Sequence, residues 1–242
     1  MTESIVVSKL CKDYGTVHAL NGVSLSVHDG ELFGLLGVNG AGKTTLIKIL
    51  SGLVSKTAGE ATVKGLEIPR DMEKIKEIIN VSPQETAVAP NLTVLENLRF
   101  FAQIYGRNDE VHLQKIISTF RLEEVLSRRA KTLSGGWSRR LSIALALVPE
   151  PQVLFLDEPT LGLDVLARRE LWRIIGELKG KITIVLTSHY LEEIEALCDR
   201  VAILSSGELL DTGTVEEIKA RTGKSSFEDA FVATVEGKEN RK

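Results

Sequence analysis

Leu32-Phe33-Gly34-Leu35-Leu36-Gly37-Val38-Asn39-Gly40-Ala41-Gly42-Lys43-Thr44-Thr45 decides the fold of this chain. Its first five residues form a short apolar run that reads as a buried strand. Gly37 to Thr44 match G-x-x-x-x-G-K-[ST], a phosphate-binding loop. Glycines let such a loop wrap so tightly that backbone N–H groups point at phosphate oxygens. Lys43 brings a flexible point charge to the outer phosphates, and the Thr44 hydroxyl suits Mg²⁺. Leu46, Ile49, Leu50 and Leu53 follow at helical spacing. Strand, loop and helix together aim a helix N-terminus at an anion.

A second apolar strand, Val153-Leu154-Phe155-Leu156, ends in Asp157-Glu158-Pro159. In an open α/β sheet the carboxyl ends of the strands face the ligand crevice. Neighbouring strand residues point to opposite faces, so the two carboxylates are expected to do different work. Asp157 suits Mg²⁺, and Glu158 suits an attacking water as base or orienter. Leu133-Ser134-Gly135-Gly136 precedes a helix carrying Leu141, Ala144, Leu145 and Val148. A hydroxyl, glycine amides and a helix N-terminus make a second anion site there.

The chain of 242 residues has room for one large domain or a core with a subdomain, and 43% apolar residues supply a substantial interior. A net charge of −3 offers no basic field, so nucleic acid is not expected as a partner. Cys11 and Cys198 lie far apart and form no C-x-x-C, which reads as two buried thiols in a reducing compartment. The first residues lack a basic region and an apolar core, so no secretory signal is expected. No apolar run approaches the roughly 20 residues of a membrane helix. A cytoplasmic chain, attached to a membrane only through a partner, is therefore expected.

Ile5-Val6-Val7, a turn at Lys12-Asp13-Tyr14-Gly15, alternating Val23, Leu25 and Val27, and a strand pair within Gly59 to Ile68 predict an antiparallel β layer. After Pro83-Gln84 the pattern turns helical. Thr93-Val94-Leu95-Glu96 is a capping box. Leu95, Leu98, Phe101 or Ala102, and Tyr105 make one apolar face, stopped by Gly106. Leu113, Ile117 and Phe120 make a second, and Leu122, Val125 and Leu126 a shorter third. Sheet patterning resumes at Val153, with a helix over 167–178, a strand at Ile182 to Leu186, and a hairpin around Ser205-Ser206-Gly207. The division expected is a core over 1–85 and 150–215, a helical segment over 86–149 and a C-terminal extension over 216–242. Glu236 to Lys242 read as a loose polar end. The loop Glu85, Thr86, Val88, Ala89, Pro90 and Leu92 is expected to be exposed and to form a docking groove, or else to staple the next helix.

The order of phosphate loop, Gln84, L-S-G-G, strand-D-E-P, Gly162-Leu163-Asp164 and His189 resembles the ATP-binding subunit of an ABC transporter over nearly the whole chain. The resemblance implies a P-loop NTPase (RecA-like) α/β core with an antiparallel β layer and a helical subdomain particular to this class. It implies ATP and Mg²⁺ as ligands. Tyr14 would stack on adenine, and Gly37, Val38, Asn39, Gly40, Ala41, Gly42, Lys43, Thr44 and Thr45 would hold its phosphates. Thr44, Gln84 and Asp157 would serve the metal. Glu158, His189 and Gln84 would act on the attacking water. Ser134, Gly135 and Gly136 would grip the γ-phosphate of ATP held by the opposite subunit, and Asp164 would couple the two sites. A homodimer or a pair with a paralogue, bound to an integral membrane permease at the inner face of the cell membrane, is implied as the assembly.

The pattern departs from the common one at Val38, Trp137, Leu161 and Val165. Arg139-Arg140-Leu141-Ser142-Ile143-Ala144 resembles the R-R-L pattern of ABC-2-type exporters, and Ser226-Phe227-Glu228-Asp229-Ala230-Phe231 resembles the ending of that branch. A short helix capping the core with Phe227 and Phe231 explains the tail equally well. Alternative readings are an importer ATPase, a soluble ABC ATPase outside transport and a small P-loop kinase. The last leaves L-S-G-G and His189 unexplained.

Overall fold

A computed structural model describes residues 2–107 and 109–239. β1 (Glu3–Tyr14) and β2 (Val17–His28) form a long hairpin. β3 (Leu32–Leu36) then enters the interior and delivers the chain to α1 (Lys43–Leu50). β4 (Ala58–Val63) and β5 (Leu66–Glu67) return to the hairpin, completing an antiparallel sheet of order β2-β1-β4-β5. α2 (Met72–Ile78) leads to β6 (Ile79–Ser82). The helical segment holds α3 (Val94–Ile104), α4 (Glu110–Phe120) and α5 (Gly135–Leu147). β7 (Val153–Asp157), α6 (Val165–Leu178), β8 (Thr183–Ser188), α7 (Leu191–Leu197), β9 (Arg200–Ser205), β10 (Glu208–Gly213), α8 (Val215–Thr222) and α9 (Phe227–Glu239) follow.

The second sheet has the order β10-β9-β3-β8-β7-β6, parallel except for the β9–β10 hairpin. β3 and β7 are buried along their whole length, as a covered parallel sheet requires. Alternation along the strands divides the interior in two. Leu32, Leu36, Leu154, Leu156, Ile184 and Leu186 face a core shared with α3 to α7 and the C-terminal helices. Phe33, Leu35, Val153, Phe155 and Val185 face a core shared with α1 and the antiparallel sheet. The period-2 side-chain geometry of a strand thus pins the helical segment to one face and the β layer to the other.

Thr93 caps α3 as its sequence predicts, with Glu96 reciprocating. Three expectations need correction. Lys12 to Tyr14 lie within β1, because bulges between Val7 and Lys12 let the strand continue to a tighter turn at Gly15-Thr16. Leu53 lies outside α1 and is exposed; Gly52, at φ +72°, ends the helix before the apolar pattern does. Glu236 to Glu239 are helical, because Phe231 and Val235 continue the face begun by buried Phe227 and Ala230. Asn240 to Lys242 lie outside the described residues. Among the described residues no helix is long and apolar enough to cross a membrane.

Candidate functional site

The phosphate loop is shaped by what surrounds it. A Cβ at Gly37 would sit 2.4 Å from the Leu204 carbonyl oxygen, so only glycine fits there. Gly42 stands at φ +104° with the Ala19 carbonyl oxygen 2.6 Å from where its Cβ would be. Lys43 is almost fully buried, at 6% exposure, and its Nζ donates to the Gly37 carbonyl at 2.6 Å and the Val38 carbonyl at 3.4 Å. Burial pulls this ammonium below the ordinary lysine range, opposed by the charges of Glu158 and Asp157. Gly42 caps α1 without a side-chain bond; the first-turn N–H groups have no intrahelical partner, and the residues that carry them, Lys43 to Thr45, line the cavity.

β7 carries Asp157 to the mouth of that loop. Its Oδ1 accepts from Thr187 Oγ1 at 2.6 Å, and Thr44 Oγ1 lies 3.3 Å from Oδ2. Glu158 comes after the strand has ended, at φ +49°. A left-handed turn, rather than strand alternation, separates the two carboxylates. The Glu158 N–H is held by Thr187 Oγ1 at 2.9 Å. Its Oε2 lies 2.7 Å from His189 Nδ1, and its Oε1 lies 3.9 Å from Lys43 Nζ. Thr187 therefore braces the Asp157 carboxylate and the Glu158 main chain, a role with only a weak sequence signal: the polar run Thr187-Ser188-His189 at a strand's carboxyl end.

These groups open on a cavity of about 740 Å³ lined by Tyr14, Asn39 to Thr45, Gln84, Glu158, Leu161 and His189, with Val17, His18, Ala19 and Ser206 completing the wall. Tyr14 is half exposed there, with the Lys12 ammonium 4.8 Å from its ring centre. Gly37, Val38 and Asp157 adjoin this cluster through Lys43 and Thr44. A second cavity, about 640 Å³, opens around Gln152 and Thr183 at the amino ends of β7 and β8. Among the described residues it has no glycine loop, no paired carboxylates and no helix N-terminus, so the chemistry assigns the phosphate site to the first.

Ser134, Gly135, Gly136 and Asp164 are not brought into that first cavity. Ser134 caps α5 by position alone, since its hydroxyl makes no capping bond, and both it and Gly135 are at least partly open to solvent. Asp164 caps α6, its Oδ1 accepting from the Leu166 and Ala167 N–H groups at 3.0 Å. A Cβ on Gly136 would stand 3.0 Å from the Ala167 Cβ, so the first turns of α5 and α6 are in close contact. The loop after Gln84 differs from its expectation. Glu85, Thr86 and Pro90 are exposed, but Val88, Ala89 and Leu92 are half-buried. Fully buried Asn97 holds that loop through the Ala89 N–H and carbonyl and the Leu92 carbonyl.

Behind the cavity, Glu193 of α7 is completely buried. Trp172 Nε1 donates to its Oε1 at 3.0 Å, whereas Oε2 has no hydrogen-bond partner among the described residues. Burial pushes this carboxyl above the usual range, and the nearby Ser188, Thr160 and Trp172 donors oppose the rise.

A phosphate loop on a parallel sheet, a strand-end carboxylate pair and a histidine against the second carboxylate define a P-loop ATPase. Residues 20–161 match the ABC transporter family, and the chain belongs to it. It is similar to the linearmycin resistance ATP-binding protein LnrL of Bacillus subtilis (strain 168), 39% identical over 216 residues, which are 88% of this chain and 70% of that one. It is 36% identical to the probable multidrug ABC transporter ATP-binding protein YbhF of Escherichia coli (strain K12), covering 96% of this chain but 42% of that relative's length. A solved structure of the ATP-binding subunit of an ABC transporter superposes with a TM-score of 0.84 at 31% identity, over 96% of this chain and 99% of that one. The chain is thus an ATP-binding, ATP-hydrolysing unit of an ABC transporter, with a P-loop NTPase α/β core, an antiparallel β layer and a helical subdomain.

Proposed function

We propose that two copies of this chain, or this chain and a paralogue, close head to tail around two ATP and drive a membrane permease of the ABC-2 exporter type. The observation that carries the reading is the separation of the two anion-binding helix ends. The α1 end opens on the nucleotide cavity, while the α5 end lies outside it with its hydroxyl unused as a cap. A two-fold head-to-tail pair lets each α5 end complete the other copy's cavity. The names of the relatives, linearmycin resistance and multidrug transport, support export. Within this reading 1–85 and 150–215 are the catalytic core, 86–149 the subdomain presenting the signature, and 216–242 an extension. The unit sits at the inner face of the membrane through its permease.

Tyr14 stacks on adenine, and the loop from Gly37 to Thr45 holds the phosphates. Glu158 takes the proton of the attacking water, His189 orients Glu158 and the γ-phosphate, and Gln84 senses both water and metal. Ser134, Gly135 and Gly136 hold the partner copy's γ-phosphate, and Asp164 couples the two sites. Mg²⁺ fits the residues present: the Thr44 hydroxyl and Asp157 carboxylate are hard oxygen donors 3.3 Å apart, with Gln84 at the cavity wall. Among the described residues no group of three or more His, Cys, Asp or Glu makes a closed cage, and Mg²⁺ favours few protein ligands beside water and phosphate. When bound, the ion neutralises charge developing on the phosphates. Gln84 also lines the groove with Glu85, Thr86, Val88 and Pro90, which suits a short cytoplasmic helix of the permease.

The test is Glu158→Gln. The variant is expected to retain ATP, to lose turnover by about 10²–10⁴-fold as removal of a general base does, and to elute as an ATP-dependent dimer in gel filtration. Near wild-type phosphate release, or a monomer with ATP at high protein concentration, sinks the reading.

A further inference from the structure

Arg139, first of the two arginines in the R-R-L run, is buried to 4% exposure on α5. Its guanidinium donates to four main-chain carbonyls at two different strand ends. Nη1 reaches Pro83 at 2.5 Å and Gln84 at 3.2 Å, in the loop leaving β6. Nη2 reaches Asp157, the last residue of β7, at 2.9 Å, and Nε reaches Pro159, in the loop leaving that strand, at 2.8 Å. The last two carbonyls flank Glu158. Arg140 shows where the same side chain goes without such carbonyls in reach. It lies over the Trp137 ring, 4.5 Å from its centre, and is only half-buried.

The grip falls where the backbone needs it. Glu158 is a non-glycine residue at φ +49°, a region that costs such residues about 1–2 kcal/mol and persists only when its surroundings hold it. Thr187 secures the Glu158 N–H; Arg139 secures the carbonyls before and after it. A planar fork with fixed donor directions can bridge two loops at once, which a single ammonium on a flexible stem cannot reproduce.

We propose that Arg139 is a positioning residue: its guanidinium fastens the turn at Glu158 and the loop at Gln84 to α5, so that the orientation of α5 sets where the Glu158 carboxylate points. This rests on the role proposed for Glu158 in turnover. α5 is the helix whose first turn follows Ser134 and carries Gly135 and Gly136, so a load on the signature end reaches the carboxylate of the same chain through one side chain. Burial lowers the guanidinium to about 10, with Asp157, Glu193 and Glu158 acting to hold the charge; it therefore remains a full donor at neutral pH.

The experiment compares Arg139→Lys and Arg139→Gln with wild type, reading MgATP affinity by equilibrium dialysis and kcat separately. Because a misplacement of about 1 Å can cost about 10²-fold, kcat is expected to fall about 10²-fold in both, with affinity within about threefold. Wild-type kcat in Arg139→Lys overturns the proposal, since charge alone then suffices. Parallel loss of affinity and kcat also overturns it, since the residue then serves only the fold. Arg139→Gln removes the buried charge and guards against a variant that fails to fold. A measurement on the unaltered, nitrogen-15-labelled chain needs no variant: the Arg139 Nε–H resonance is expected to exchange slowly with solvent, and exchange as fast as that of exposed arginines overturns the clamp. Failure of the Glu158 assignment shows separately, as turnover retained in Glu158→Gln.

Discussion

At the start of α1 the chain closes around its own phosphate loop: Lys43 is tied to the Gly37 and Val38 carbonyls, and Gly37 and Gly42 press against Leu204 and Ala19. At the start of α5 nothing comparable happens. Ser134 and Gly135 are open to solvent, and the serine hydroxyl caps nothing. Both are helix N-termini with glycine and a hydroxyl residue nearby, and both favour an anion by the same dipole. The difference is in what encloses them. The first site is preorganised for its ligand. In the pairing proposed above, the second is half a site, completed by the surface of another copy.

The sharpest way to break this contrast is Lys43→Ala. Charged hydrogen bonds of about 1.5–3 kcal/mol are lost, so ATP affinity is expected to fall by about 10–10²-fold and turnover to vanish. Unchanged affinity in equilibrium dialysis would make the two helix ends equivalent after all. Ser134→Arg probes the other end. The single chain is expected to bind ATP as wild type does, because this residue lies outside the cavity. Dimerisation of the Glu158→Gln form is expected to disappear, and turnover to drop by about 10²-fold as positioning is lost. If Ser134→Arg instead impairs ATP binding by the monomer, the signature belongs to its own chain's site.

The smallest effect lies behind the Asp157–Glu158 pair. The Glu193 carboxyl is raised by burial, so the folded state favours its protonated form. Stability from this group is fully present below the ordinary glutamate value of 4.5 and is lost as pH rises through the raised native value. Glu193→Gln keeps an acceptor for Trp172 and removes the charge. At pH 7–8 it is expected to melt about 2–4 °C higher than wild type, roughly 1 kcal/mol for a chain of this size, and its melting temperature is expected to depend less on pH. A lower melting temperature at neutral pH would show that the ionised carboxylate is wanted.

Motifs carried by neighbouring residues were legible in the sequence. The phosphate loop, Asp157-Glu158, Ser134 to Gly136 and the Thr93 capping box need only local order to be recognised. What escaped was held from a distance or was too short to show a period. α2 buries only Ile75 and α8 only Ile218, so neither offers an apolar stripe. Arg139 looked like half of a branch signature; its partners lie 18 to 56 positions away. The loop after Gln84 looked open because the Asn97 amide that holds it lies on the following helix. The positive φ at Glu158 has no residue-type signal, since glutamate is not a residue that seeks it.

The bare α-carbon at Gly136, set against Ala167, has a mechanical consequence. With no room for a methyl between the first turns of α5 and α6, any side chain at 136 has to push them apart. The caps Ser134 and Asp164, thirty positions apart in sequence, head two helices whose first turns are in close contact. In the head-to-tail pair proposed above, a larger residue at 136 is therefore expected to shift Ser134 relative to Asp164 and misalign whatever seats on both.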